Sequence, residues 1–209
     1  MNINDYIVDK YKVDGTKKIV EILGINRENL AQLFGELGYK KGAEIGTLRG
    51  QYAETLCKNI PGLSLMCVDP YQAYQVYVRW HTQRELDEAY QIAQARVKGF
   101  DVTFVKDFSV EVAKTIPDES LDFVYIDASH TYRDVVDDVD SWYRKVRRGG
   151  IVSGHDYLRR VKPTNTHIIQ AVNGFIDSYS IAPLFLTDRP AELKGKVRDE
   201  SRSWFFVKV

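Results

Sequence analysis

The sequence predicts an α/β fold, a doubly wound and mostly parallel sheet with helices on both faces. Two stretches point to it. Residues 121–157 (LDFVYIDASHTYRDVVDDVDSWYRKVRRGGIVSGHDY) read as strand, polar loop, helix, glycine turn and strand. Residues 43–69 read as strand, glycine turn, helix, strand and acid. Parallel units of one hand deliver the C-terminal loops of all their strands to the same edge, so Asp127, His130, His155 and Asp156 are expected to converge there.

Composition narrows the class. The 209 residues carry 29 basic and 29 acidic side chains, which gives no electrostatic case for nucleic acid or a membrane surface. The length suits one domain, with residues 1–40 as an N-terminal helical cap on a main body of 41–209. No apolar run is long enough to span a bilayer, and the N-terminus lacks the apolar core of a signal peptide. Cys57 and Cys67 sit in apolar segments and are expected as reduced core residues of a cytoplasmic protein. A homodimer is the default expectation for assembly.

The elements follow in order. Residues 1–25 have weak periodicity and read as a short helix or two that cap the fold, cover a ligand or meet a second subunit. Asn26 is an N-cap for a helix with Leu30, Leu33, Phe34 and Leu37 on one face, ended by Gly38. Ala43-Glu44-Ile45 starts a strand that turns through Gly46-Thr47-Leu48-Arg49-Gly50 into a helix with Tyr52, Ala53, Leu56 and Cys57. Pro61-Gly62 breaks the chain before a strand from Leu65 to Val68, closed by Asp69. The aromatic run Tyr71, Tyr74, Tyr77, Trp80 and His81 reads equally as a cover over a ligand or as a packing face. A helix with Leu86, Ala89, Tyr90, Ala93 and Val97 and a strand from Val102 to Val105 come next.

After the strand Phe123–Ile126, a helix begins at Thr131 with Val135, Val139, Trp142 and Val146 on one face. Its acids stand early and its bases late, as the macrodipole favours. Gly149-Gly150 is expected to end it, with a strand from Ile151. Arg159, Arg160, Lys162 and His167 bring positive charge toward the edge, to meet an acidic substrate or to sit in a solvated loop. Ile168, Ile169, Val172, Phe175 and Ile176 mark a helix, Pro183–Leu186 a strand, and residues 203–209 the last strand.

The first glycine turn has a chemical reading. Glycines let a ligand press against backbone at a helix start, and an acid on the next strand accepts two ribose hydroxyls. An adenosine-containing cofactor is therefore expected. Gly46-Thr47-Leu48-Arg49-Gly50 is not the dinucleotide fingerprint, and no P-loop occurs. Glu44 repels phosphate and suits an ammonium group, which S-adenosylmethionine carries alongside its sulfonium.

The segments Glu44–Gly50, Val68-Asp69, Asp122–His130 and Gly149–Tyr157 resemble class I S-adenosylmethionine-dependent methyltransferases. Within them, the likeness is to the small bacterial group related to macrolide-sugar and, more distantly, catechol O-methyltransferases. The resemblance covers residues 40–209 and implies a Rossmann-like, seven-stranded sheet with an antiparallel last strand. It implies that Glu44, Gly46 and Thr47, with Leu48 and Gly50 of the same turn, line the methionine end of the cofactor. Asp69 would bind the ribose, Asp107, Phe108 and Ser109 the adenine side, and Asp127 the reactive end. It implies His130 as general base, assisted by Asp127, and Asp127, His155 and Asp156 as ligands of a divalent metal such as Mg or Mn. Leu48 stands where many members have a glycine, Asp107-Phe108 where relatives have Gly-Asp, and His155 where they have an acid or amide. Ala128 and Ser129 replace the prolines of the N-methyltransferase signature. O-methylation of a small hydroxylated molecule, such as a sugar, is thus expected. The alternatives are a metal-independent transferase on another acceptor and an adenosyl-binding module without catalysis.

Overall fold

The computed structural model describes residues 2–73, 82–158, 167–188 and 201–209. One sheet runs in the order β1 (Ile19–Glu21), β7 (Leu184–Leu186), β8 (Trp204–Val207), β6 (Val146–Gly154), β5 (Leu121–Ile126), β2 (Lys41–Ile45), β3 (Ser64–Val68) and β4 (Asp101–Val105). Every pairing is parallel except those of β8, which is antiparallel to β6 and β7. The doubly wound, mostly parallel plan with an antiparallel last strand is therefore present, with eight strands among the described residues rather than seven. The added strand is β1, from a stretch whose sequence suggested only helix.

Alternation along the strands feeds two cores. On β5, Phe123 and Tyr125 join one apolar cluster, with α2 (Arg27–Glu36) and α3 (Gln51–Asn59) packed over it. Val124 and Ile126 point to the other, covered by α5 (Ser109–Thr115), α6 (Tyr132–Lys145) and α7 (Ile168–Ser178). Such two-sided burial is what a parallel sheet requires. Helix α1 (Ile3–Tyr11) adds Ile7 to the first cluster, and α4 (Gln83–Arg96) leads to Val97 there. No described helix is long and apolar enough to cross a membrane.

One boundary differs from expectation. Helix α6 stops at Lys145, and Val146 is already extended at φ −76° and ψ 135°. Gly149 and Gly150 lie inside β6, where pairing with β5 shifts between Leu121 and Phe123. Gly149 has φ +73°, and a Cβ on Gly150 would meet the Asp122 carbonyl oxygen at 2.4 Å. The glycines serve a strand irregularity pressed against its neighbour, not a helix end. The aromatic residues Tyr74, Tyr77, Trp80 and His81 and the basic Arg159, Arg160 and Lys162 lie outside the described residues.

Candidate active site

The chain leaves β2 for β3 and β4 on one side, then crosses to β5 on the other, so the sheet reverses direction between β2 and β5. Ligands of open α/β sheets bind in the crevice at such a point, beyond the carboxyl ends of the strands. The glycine turn after β2 and Asp127 after β5 both stand there. Gly46 has φ +89°, and a Cβ on it would lie 2.1 Å from the Asp127 carbonyl oxygen. Its N–H donates to the Val68 carbonyl at 2.8 Å, so the turn is clamped between both neighbours. Leu48 also has positive φ, at 46°, which explains the usual glycine there and costs about 1–2 kcal/mol. Gly50 caps α3 with φ +70°.

Asp69, just past β3, ties the turn to its own loop. One carboxylate oxygen accepts from the Leu48 N–H and the other from the Tyr71 N–H, each at 2.9 Å. The Tyr71 hydroxyl closes the ring by donating to the Leu48 carbonyl at 2.8 Å. On the β4 side, Asp107 accepts from the Phe108 N–H at 2.7 Å, and Phe108 is exposed. The Ser109 hydroxyl accepts from the Trp142 indole at 2.8 Å. It also faces buried Asp138, whose carboxyl burial pushes up to about 7 against that contact.

Glu44 is buried at the end of β2. Burial raises its carboxyl to about 8, helped by the negative charges of Asp127 and Asp69, while Thr47 and Arg27 pull the other way. The Thr47 hydroxyl is buried and makes no hydrogen bond of good geometry, although it stands close enough to Glu44 to lower that carboxyl. A buried hydroxyl in the glycine turn and a buried acid beside it put polar groups at this end of the cleft.

The four residues expected at the edge do meet. His130 Nε2 lies 2.9 Å from Asp156 Oδ2. His155 Nδ1 lies 3.6 Å from Asp127 Oδ2 and 3.7 Å from Asp156 Oδ1. Burial pushes the Asp127 carboxyl above its ordinary value, and nearby Asp156 adds to this against His155. Burial also works to raise Asp156, but the His130 hydrogen bond and the His155 charge outweigh it and hold this carboxyl well below the usual range. Asp156 takes positive φ, at 57°, a strained setting that turns its carboxylate toward His130. Atoms of Asp127, His130 and Asp156 lie within 4.8 Å of one another, close enough to share a cation. His155, expected as a ligand, is not one of those three, although its Nδ1 faces both carboxylates; its carbonyl accepts from the Trp204 indole at 3.2 Å.

Arg27 escaped the sequence reading, since nothing but the preceding N-cap marks it. Asn26 caps α2 through the Glu28 and Asn29 N–H groups. The Arg27 guanidinium carbon then lies 5.6 Å from the centre of the Tyr52 ring, and the Tyr52 hydroxyl donates to the Arg27 carbonyl at 3.0 Å. Its charge reaches both Glu44 and Asp127.

Comparisons with known proteins agree with this fold. A methyltransferase domain family model matches residues 43–157, more than half of the chain. An uncharacterized protein of Acanthamoeba polyphaga mimivirus is 27% identical over 137 residues, spanning 62% of this chain and only 57% of that relative's length. The fold is similar to cofactor-bound Rv0187 from MTB, with TM-score 0.61 and 17% identity over 99% of this chain and 88% of the other. It is also similar to the O-methyltransferase TomG of Streptomyces achromogenes in complex with SAM, with TM-score 0.60 and 16% identity over 88% and 79%. The O-methyltransferase of Bacillus cereus in complex with SAH gives TM-score 0.60 and 17% identity over 99% and 87%. The chain belongs to the methyltransferase domain family and has the class I fold of S-adenosylmethionine-dependent methyltransferases.

Proposed function

We propose that the chain transfers a methyl group from S-adenosylmethionine to a hydroxyl of a small molecule, such as a sugar or sugar-containing metabolite, with His130 as general base. The observation that carries this is the His130–Asp156 pair at 2.9 Å beside Asp127, at the point where the sheet reverses. The cofactor supplies an activated methyl on a sulfonium, so the protein has to align, deprotonate and exclude water. Asp156 accepts from Nε2, which assigns the proton to that nitrogen and leaves the Nδ1 lone pair for the acceptor's hydroxyl proton. Asp127 adds negative charge next to the donor's positive end. Glu44 meets the ammonium and Asp69 the ribose hydroxyls. The O-methyltransferases among the similar structures support the choice of a hydroxyl acceptor.

The test is His130→Ala, assayed against a panel of hydroxylated acceptors. S-adenosylhomocysteine affinity stays within about twofold of wild type, while turnover falls about 100-fold or more. Unchanged turnover removes His130 from the mechanism. A second reading has its own observation, the Asp127, His130 and Asp156 atoms within 4.8 Å. Two carboxylates and an imidazole fit Mn²⁺ or a similar borderline ion better than an all-oxygen Mg²⁺ site, and such an ion lowers the pKa of a bound hydroxyl.

A further inference from the structure

We infer that Arg202 binds a carboxylate on the methyl acceptor, so that the substrate is a hydroxy acid such as a uronic acid; this rests on the methyl-transfer reading of the cleft. Buried polar groups without a partner are rare in folded proteins, and each asks for a ligand or a water. Among the described residues, the side-chain atoms in that state are Asn4 Oδ1 in α1, Thr47 Oγ1, His167 Nδ1, Ser201 Oγ and Arg202 Nη2. Thr47 belongs to the glycine turn on the cofactor side. The Ser201 hydroxyl stands close enough to Asp156 to lower that carboxyl. Arg202 Nη2 and His167 Nδ1 are left for a ligand.

Backbone contacts put both residues beside the proposed base, on the far side of β5 from the glycine turn. The Arg202 carbonyl accepts from the N–H of Tyr157, the residue after Asp156, at 3.0 Å. Its Nε donates at 2.9 Å to the carbonyl of Thr187, just past the carboxyl end of β7. The His167 N–H donates to the His130 carbonyl at 3.1 Å. His167 is the N-cap of α7, yet its ring makes no capping bond.

Arg202 is only 8% exposed, and a guanidinium keeps its proton when buried. Nη1 donates to Glu21 at 3.1 Å, a carboxylate that is itself well exposed to solvent. Nη2 can only donate, so its complement is a group that only accepts. An ionised carboxylate is such a group, and its bond to a guanidinium is charge-assisted. A phosphate dianion would bring a second negative charge close to Glu21 and Asp156, which favours the carboxylate. The charge of Asp156 is already met by His130 at 2.9 Å. His167 offers a further donor in its Nδ1–H tautomer.

Calorimetry on the chain loaded with S-adenosylhomocysteine tests this. The probes are D-glucuronate, D-galacturonate and D-gluconate, each set against its neutral counterpart D-glucose, D-galactose or D-sorbitol. At least one acid should bind about tenfold or more tightly than its counterpart, and Arg202→Gln should remove that preference. A thermal melt checks that the variant folds. Because Arg202 is buried, Glu21→Gln serves as a second variant on an exposed residue. Freeing Nη1 from its carboxylate should tighten the acid about twofold or more and leave the neutral sugar unchanged. No preference for any acid, a preference that survives in Arg202→Gln, or an acid affinity that does not rise in Glu21→Gln overturns the assignment. A wild-type chain that fails to bind S-adenosylhomocysteine overturns the cofactor reading as well, so the two failures are distinguishable.

Discussion

His130 and Asp156 are joined at 2.9 Å by a hydrogen bond between a partly exposed imidazole and a buried carboxylate. The carboxylate comes from a residue at φ 57°, a conformation that asparagine also tolerates, so Asp156→Asn removes charge without adding backbone strain. The Asp156 carboxyl is depressed below its ordinary 3.8, because the gain from His130 and His155 outweighs burial. A depressed acid stabilises the fold above its unfolded value and loses that contribution as pH falls through its folded value. The variant is expected to be about 1.5–3 kcal/mol less stable at pH 7. The difference should shrink below about pH 4, as denaturant melts across pH would read. A difference that failed to shrink as pH fell below about 4 would contradict the pairing.

Glu44 titrates the other way. Burial lifts it from 4.5 to about 8, so the folded chain keeps a proton that the unfolded chain releases between those values. Its contribution to stability is complete below about pH 4.5 and is lost as pH rises through about 8. Glu44→Gln should flatten that slope. An arriving ammonium favours the carboxylate, so at pH 7 ligand binding should expel close to one proton. Calorimetry of S-adenosylhomocysteine in buffers of different ionisation enthalpy reads the release, and Glu44→Gln should abolish it. Equal release from both proteins would take Glu44 out of the ammonium site.

Gly46→Ala should fail on backbone grounds. The position has φ +89°, and the new Cβ would sit 2.1 Å from the Asp127 carbonyl oxygen. Left-handed strain of about 1–2 kcal/mol and overpacking of about 1–3 kcal/mol add to an expected loss of about 2–5 kcal/mol in urea unfolding. Adenosyl-ligand binding should go with it. A fully stable variant would mean that β2 and β5 do not meet as described.

Chelation separates the two routes to the acceptor oxygen. With His130 acting alone as base, exhaustive EDTA treatment leaves turnover intact. With a cation held by Asp127, His130 and Asp156, turnover is lost and returns with Mn²⁺, and Asp127→Asn lowers the apparent Mn²⁺ affinity about tenfold or more.

Most of the sheet was legible because its strands and helices are local patterns. The run from Glu44 to Asp69, and the turn from Asp127 into α6 with its Thr131 cap, follow from periodicity and capping chemistry alone. Strand β1 was not legible, since three residues gain strand character only by pairing with β7, far along the chain. Gly149-Gly150 carried an ambiguous signal, as glycine serves helix ends and strand irregularities alike. The convergence of Asp127, His130, His155 and Asp156 followed from strand polarity. That His130 makes the closer contact with Asp156, at 2.9 Å against 3.7 Å for His155, depends on side-chain directions that spacing does not encode. Arg27 comes to influence Glu44 and Asp127 only through the packing of α2 on α3 and the Tyr52 ring, a tertiary fact.

The most direct test is the structure of the complex with S-adenosylhomocysteine. The ribose hydroxyls are expected within hydrogen-bonding distance of Asp69, the amino-acid end against Glu44, and the sulfur facing Asp127 and His130. A ligand bound at the opposite edge of the sheet, or one whose sulfur points away from His130, would contradict methyl transfer at this site.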